Sequence, residues 1–420
     1  MIRVFKFGGA LLKDASGIER MASIVEEFSC ERLIIVVSAI GKTTNALENL
    51  LSLAINNSDE LASEYFKLKS FHINLILSLP IENKDELIQN IELTFRNLWD
   101  NLNQDYQNYY FSYDQIVSFG ELLSGKIINF RLAQKKLEVK EVSASSIIIT
   151  NNNYTDASVN WQKTTDKISQ IIQPVLDAHK IVVTQGFLGG DDNGNTTTLG
   201  REGSDFTAAI IGSILKADEI VIWKDVPGLM NADPNLFDKA IKLNKISYHE
   251  AIELAFYGAS VIHPKTIQPL QENKLTLQVR SFYDLQSAPS VISDETSQDD
   301  AIPKIIIKKN QTLLSISSRY MEFIEEENLY QIFKTFSKHK IHINLMQNSA
   351  ISFSVIFNKN EKKFLPLIEE LSANYYTKYN NGLTLLTLRH YDEQMLTRYT
   401  TGKKILLEQK NRTTVQLLYK

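Results

Sequence analysis

The stretch from Ile181 to Asp233 most constrains what this chain can fold into. The apolar run Ile181–Thr184 stops at Gly186, as a buried strand of a parallel sheet does. A polar, glycine-rich loop follows, Ser204 or Asp205 then opens a helix over about 206–216, and a second apolar run, Glu219–Trp223, ends in Asp225. This is a strand–loop–helix–strand unit whose loops lie at the carboxyl ends of strands, where open α/β sheets bind ligands. Arg201 and Asp205 fall at the helix entrance, among backbone N–H groups that favour anions. The stretch suits phosphate and a small charged substrate.

The rest of the chain extends this pattern. Val4–Phe7 reads as a strand ending in Gly8-Gly9, with Lys6 just before the turn. Ile18, Met21, Val25 and Phe28 recur at helical spacing over 14–28, Leu33–Val37 is a buried strand, and a helix is expected over 43–55. Such β-α-β-α alternation argues for a parallel sheet with right-handed crossovers. Residues 57–115 change character and read as a helical insertion. Alternation resumes with an expected strand over 115–119, the turn Gly120-Glu121, a helix to about 134, a strand over 139–143 and a helix over 165–179. A helix from about Ser247 and a last strand over 275–279 complete a catalytic domain spanning 1–282.

The polar, proline-bearing segment 283–309 reads as a linker. Beyond it, 310–390 has the β-α-β-β-α-β order of the ferredoxin-like split motif, and 391–420 is expected to form part of a second such unit. A net charge of −4 gives no reason to expect nucleic acid or an anionic membrane as partner. The single Cys30 excludes an intrachain disulfide, fits a cytoplasmic setting and is expected to pack between the first helix and the second strand. No apolar run nears the ~20 residues of a membrane span.

Individually, the chemical signals have ordinary readings. Lys6-Phe7-Gly8-Gly9 offers a cation and open backbone amides to a transferring phosphate, or is a tight turn with a solvated lysine. Gly41-Lys42-Thr43 imitates the end of a Walker motif, but Val36 stands where its first glycine belongs, and no G-x-G-x-x-G follows any strand. Glu121 is placed to take a substrate ammonium or simply to sit at a helix N-terminus. Arg201 suits a bidentate carboxylate clamp, and Asp205 is equally an N-cap worth ~1 kcal/mol. His249, His263 and His390 lack partners at metal-ligand spacing and read as structural or surface residues; no metal site is expected.

Taken together and in order, the segments resemble aspartokinase: KFGG at 6–9, VVSAIGKTTNALE at 36–48, SFGELLSGKI at 118–127, TQGF at 184–187, TTLGREGSDFTAA at 197–209, WKDVPGLMNADP at 223–234 and YGASVIHPKT at 257–266. Residues 310–390 resemble an ACT regulatory domain, most tellingly NLMQNSAISFSV at 344–355. The resemblance implies an amino acid kinase fold, a mostly parallel sheet between helices, followed by an ACT domain. It also implies transfer of phosphoryl from MgATP to the β-carboxylate of L-aspartate, the first step of aspartate-family amino-acid biosynthesis, by a monofunctional enzyme lacking a homoserine dehydrogenase half.

Carried over by motif, Lys6 would stabilise the transferring phosphate, helped by Gly8 and Gly9, and Asp205 would organise the site around it. Arg201 would bind the aspartate carboxylate and Glu121 its ammonium, with Ser38, Thr44 and Phe187 lining the pocket. Trp223, Lys224, Asp225 and Met230 would face the nucleotide. Feedback by lysine or threonine is expected around Asn344, Asn348 and Ser349, in a homodimer joined through ACT domains. Departures cluster on the nucleotide side: Ala10 and Leu11 replace hydroxyl residues, Met230 and Asn235 replace a tyrosine and an arginine, and Ser260 replaces a lysine. They motivate a second reading, a catalytically silent amino-acid sensor on a kinase scaffold; a kinase acting on another amino acid such as glutamate is a third.

Overall fold

The structure, a computed structural model, describes residues 1–104, 106–179, 181–259, 262–320 and 322–420. Ser260 lies outside the described residues. The chain divides into two compact units, one formed by Met1–Leu229, Lys242–Ile252 and Val261–Thr296, the other by Met230–Ile241, Glu253–Ser260 and Ser297–Lys420.

The first unit is built on an eight-stranded sheet in the order Lys245–Ser247, Ser290–Ser293, Leu277–Ser281, Glu219–Lys224, Ile2–Phe7, Arg32–Val37, Ile181–Gln185 and Val139–Val142. All neighbours run parallel except the pair Leu277–Ser281 and Ser290–Ser293. The near-continuous apolar runs follow from burial on both faces, with Leu33 through Val37 and Ile220 through Ile222 fully buried. Ile2–Phe7 sits between the strand that follows it and Glu219–Lys224, so Lys6 reaches the carboxyl edge where the connections diverge to either side. The turn after this strand must be glycine: a Cβ on Gly9 would stand 1.9 Å from the Ala39 carbonyl oxygen. That close approach seats the Gly8-Gly9 turn against the loop carrying Ser38, and the Gly41 amide donates to the Gly9 carbonyl at 2.9 Å.

The segment after residue 56 is helical, as its composition suggests, with helices Leu61–Ser78, Lys84–Leu102 and Tyr109–Val117. The expected strand over 115–119 is absent. Asn108 caps Tyr109–Val117 by accepting from the Tyr110 and Phe111 amides, and a new helix, Phe119–Gln134, begins one residue later. The apolar Ile116-Val117 pair packs as the buried face of a helix rather than as a strand. Cys30 is exposed, not packed inside: it lies in the turn after the Ala15–Glu27 helix, where Phe28 contributes the apolar contact instead.

In the second unit a six-stranded sheet runs Ile343–Asn348, Ser352–Asn358, Lys304–Ser318, Tyr375–Arg389, Thr414–Tyr419, Ile405–Lys410, with all pairs antiparallel. The inner ends of the two fifteen-residue strands, Lys304–Ser318 and Tyr375–Arg389, form the β-α-β-β-α-β unit with helices Glu326–Lys338 and Glu361–Ser372. The outer end of Tyr375–Arg389 pairs with Lys304–Lys308 on one side and with the tail strand Thr414–Tyr419 on the other, so the tail does not stand alone as a partial unit. It is completed by Lys304–Lys308 and Leu383–Arg389. A register shift between Lys308 and Leu313, with Asn310 at φ +57°, bends one strand to serve both groups. The expected linker over 283–309 is shorter than its composition implied, because Ser290–Ser293 joins the first sheet and Lys304 already pairs in the second. Among the described residues no helix is long and apolar enough to cross a membrane.

Candidate active site

The loops at the carboxyl edge of the first sheet enclose a cavity of about 560 Å³, lined by Lys6, Ser38, Thr44, Tyr109, Tyr110, Tyr113, Glu121, Thr155, Phe187 and the segment Gly200–Asp205. Seven residues singled out in the sequence therefore meet here: Lys6, Ser38, Thr44, Glu121, Phe187, Arg201 and Asp205.

Lys6 Nζ lies 2.7 Å from Asp205 Oδ1, with both side chains largely out of water. Asp205 is the third residue of the Gly203–Ile214 helix, not its cap; Glu202 takes the cap position with φ +53° and spends its carboxylate on the His263 amide at 2.8 Å. The left-handed Glu202 turns the chain so that Asp205 faces Lys6 while Arg201 remains at the exposed lip. Gly186 allows this helix to approach, since a Cβ there would fall 2.5 Å from the Ser204 side chain. The next residue, Phe187, adopts φ +68°, a strained conformation for a bulky residue, held by donation to Thr207 Oγ1 at 3.0 Å.

Glu121 sits in the first turn of Phe119–Gln134 rather than at a strand end, which sinks it into the floor of the cavity. Its Oε1 accepts from the Ala39 amide at 3.1 Å, while the buried Oε2 has no hydrogen-bond partner among the described residues. Burial pushes the carboxyl up to about 8, against the lowering effect of the Ala39 amide, its own amide and the Lys6 charge. A buried acceptor oxygen facing a polar cavity suits a cationic group on a ligand.

Sequence reasoning missed Tyr109, Tyr110, Tyr113 and Thr155. The tyrosines come from the end of the helical insertion, and the signal was available: Asn108 before Tyr-Tyr-Phe, with Tyr109 and Tyr113 one turn apart. Tyr113 donates to Glu48 Oε1 at 2.6 Å, and burial, the first cause, raises its hydroxyl above the ordinary tyrosine value.

The nucleotide-side residues behave differently. Only Lys6 among them lines the cavity. Trp223 is a core residue, 2% exposed, stacked on Phe7 at 5.8 Å and edge-on to Phe5, because its strand is buried on both faces at that point. Lys224 is half-buried and Asp225 exposed at the strand's end. Met230 and Asn235 belong to the second unit, where the Asn235 amide donates to Asp233 Oδ1 at 3.0 Å. Lys265 is engaged with Asp156. Among the described residues no group of three or more His, Cys, Asp or Glu side chains forms a metal cage.

The effector residues expected in the second unit do not converge. Asn344 is buried, accepting from Lys308 Nζ at 2.8 Å and donating to Gln311 at 2.7 Å. Asn348 and Ser349 are exposed at the strand's far end, with Ser349 Oγ 3.2 Å from Ser352 Oγ. Four residue steps along the strand separate Asn344 from Asn348 by about 13 Å, too far for one α-amino group and carboxylate.

Comparison with known proteins agrees with this architecture. A family model described as the amino acid kinase family matches residues 1–281. The chain belongs to the amino acid kinase family. Its relatives there include lysine-sensitive aspartokinase 3 of Escherichia coli (strain K12), 28% identical over 402 residues, covering 92% of this chain and 86% of that protein. Chloroplastic aspartokinase 1 of Arabidopsis thaliana is 29% identical over 387 residues, 87% of this chain; the chain spans 65% of that relative's length. Among solved structures, E. coli aspartokinase III in complex with lysine and aspartate matches with a TM-score of 0.83 at 25% identity, covering 99% of this chain and 95% of that one. The same enzyme with aspartate and ADP also matches at 0.83. The amino acid kinase fold followed by an ACT-type antiparallel domain is thus the fold of this family member.

Proposed function

We propose that this chain is an aspartokinase, transferring the γ-phosphoryl group of ATP to the β-carboxylate of L-aspartate to give 4-phospho-L-aspartate and ADP. One observation carries the reading: a single cavity holds the Lys6–Asp205 pair, the lip residue Arg201 and the buried, unpartnered oxygen of Glu121. These are the groups a dicarboxylic α-amino acid and a transferring phosphate need. Glu121 takes the substrate ammonium and Arg201 its carboxylate, while Ser38, Thr44 and Phe187 fix its orientation.

The β-carboxylate is already a nucleophile, so no general base is required. Catalysis is positioning and charge neutralisation. Lys6, held by Asp205, meets the charge spread over the transferring phosphoryl oxygens, and the close-packed Gly8-Gly9 turn leaves backbone amides free to approach them. Magnesium would be held by the nucleotide phosphates and water rather than by a protein cage, and would supply further neutralisation of phosphate charge.

The relatives' names, one lysine-sensitive and one solved with lysine, support lysine as an effector; we place its action on the second unit, whose edge strand Ile343–Asn348 is open to pairing two copies into a homodimer. A cytoplasmic setting fits the one exposed thiol.

Purified protein with MgATP, aspartate and hydroxylamine should yield aspartate-dependent hydroxamate, and Lys6→Met should reduce kcat by about 10²–10³-fold. Nucleotide binding without any hydroxamate would instead favour an amino-acid sensor on a kinase scaffold.

A further inference from the structure

The Tyr109–Val117 helix carries a carboxylate that the cavity never touches. Asp114 is fully buried, and both its oxygens are occupied. The Thr155 amide donates to each of them at 3.1 Å, the Thr198 amide donates to Oδ2 at 2.8 Å, and the Thr198 hydroxyl donates to Oδ1 at 2.7 Å. These donors belong to two segments far apart in sequence. Thr155 itself lines the cavity, with φ +72°, a conformation that a β-branched residue rarely adopts unless its surroundings enforce it. Thr198 ends the strand Thr196–Thr198, and the chain runs from it through Leu199 and Gly200 directly into Arg201. The next residue of the helix reinforces the same tie, as Gln115 Nε2 donates to the Thr196 carbonyl at 2.8 Å.

We propose that Asp114 is a positioning residue, a clamp that holds the Thr155 loop and the segment leading to Arg201 against the helix bearing Tyr109, Tyr110 and Tyr113. It acts on substrate only through those groups, and the assignment rests on the cavity being the aspartate site. Burial raises its carboxyl to about 6, against the lowering effect of the Thr198 and Thr155 donors. Near neutral pH it is therefore the ionised, acceptor-only form that the donors require.

The Asp114→Asn variant turns an NH2 group toward amides that also donate, and Thr198→Val removes the hydroxyl contact alone at nearly constant volume. In the 420-residue chain, D114N should raise KM for aspartate at least tenfold, on the scale of two lost charge-assisted hydrogen bonds, with KM for ATP within about twofold. T198V should show the same split in smaller measure and keeps the question answerable if D114N does not fold. Hydrogen exchange decides the clamp without reference to substrate: the amides of Thr155 and Thr198 should exchange faster in D114N. Unchanged exchange at both amides would overturn the clamp, whatever the enzyme's substrate. Equal rises in both KM values would also overturn it, by marking the effect as general loosening. Wild-type protein that forms no hydroxamate would instead remove the substrate reading, and with it the catalytic purpose assigned to the clamp.

Discussion

Glu121 lies in the first turn of the Phe119–Gln134 helix with its Oε2 buried and without a hydrogen-bond partner among the described residues. Its position after Gly120 suggested a substrate ammonium partner, and the cavity includes it. Burial, which no local pattern of residues reveals, pushes its carboxyl up to about 8. A folded-state value raised above the unfolded one means the ligand-free fold holds an extra proton between about 4.5 and 8, so this group's contribution to stability falls as pH rises through that window. An ammonium ligand beside Oε2 favours the carboxylate form, so aspartate binding at pH 7 should release close to one proton. Calorimetry of aspartate binding in buffers of different ionisation enthalpy measures that release; heats that do not depend on the buffer, or that depend on it equally in Glu121→Gln, would count against Glu121 as the ammonium partner.

At the scale of elements, the strands and helices around Ile181–Asp233 were legible because parallel strands buried on both faces read as unbroken apolar runs and the glycines at their ends mark the loops. The Thr43–Ile55 helix is legible in the same way, from Leu47, Leu50, Leu51 and Ala54 on its buried face. Legibility failed where short apolar runs have two solutions. Ile116-Val117-Ser118-Phe119 is too short for periodicity to separate strand from helix, and the cap at Asn108 decides it. It failed again in the long strand from Lys304, whose polar Lys308-Lys309-Asn310 reads as loop but forms the irregularity that lets one strand serve two groups.

The insertion's packing was not legible at all, and its buried His72 is testable. The ring lies between helices, Nδ1 donating to the Leu68 carbonyl at 3.0 Å and Nε2 3.4 Å from the Thr43 hydroxyl, one residue before Thr44 of the cavity. Burial lowers its pKa to about 4, below the ordinary 6.5. The unfolded chain then binds more protons between those values, so His72 costs stability as pH falls through 6.5 toward 4. Relative to His72→Leu, the wild-type protein should lose on the order of 3 kcal/mol of unfolding free energy between pH 7 and 4. Urea titrations across that range check it, and parallel pH curves for the two proteins would refute the neutral buried histidine.

For the molecule as a whole, the two units have separate hydrophobic cores, one spread along the eight-stranded sheet, the other divided among clusters around the six-stranded one. Regulation then requires an effector that binds the second unit with different affinity in two functional states, because a ligand indifferent to the states shifts nothing. Asn344 is a poor candidate for direct contact, since Lys308, Gln311 and Asn358 already occupy its amide. Exposed Asn348 has its polar groups accessible at the end of the edge strand. Lysine at tenfold over its dissociation constant would stabilise the unit it binds by about 1.4 kcal/mol, a rise of a few degrees in its thermal midpoint. The full chain should show that shift together with inhibition of hydroxamate formation, and Asn348→Ala should weaken both while catalysis without lysine persists. A midpoint and a rate unmoved by millimolar lysine or threonine would end the regulatory reading. Full lysine response in Asn348→Ala would move the effector site away from this strand end and leave the catalytic reading untouched.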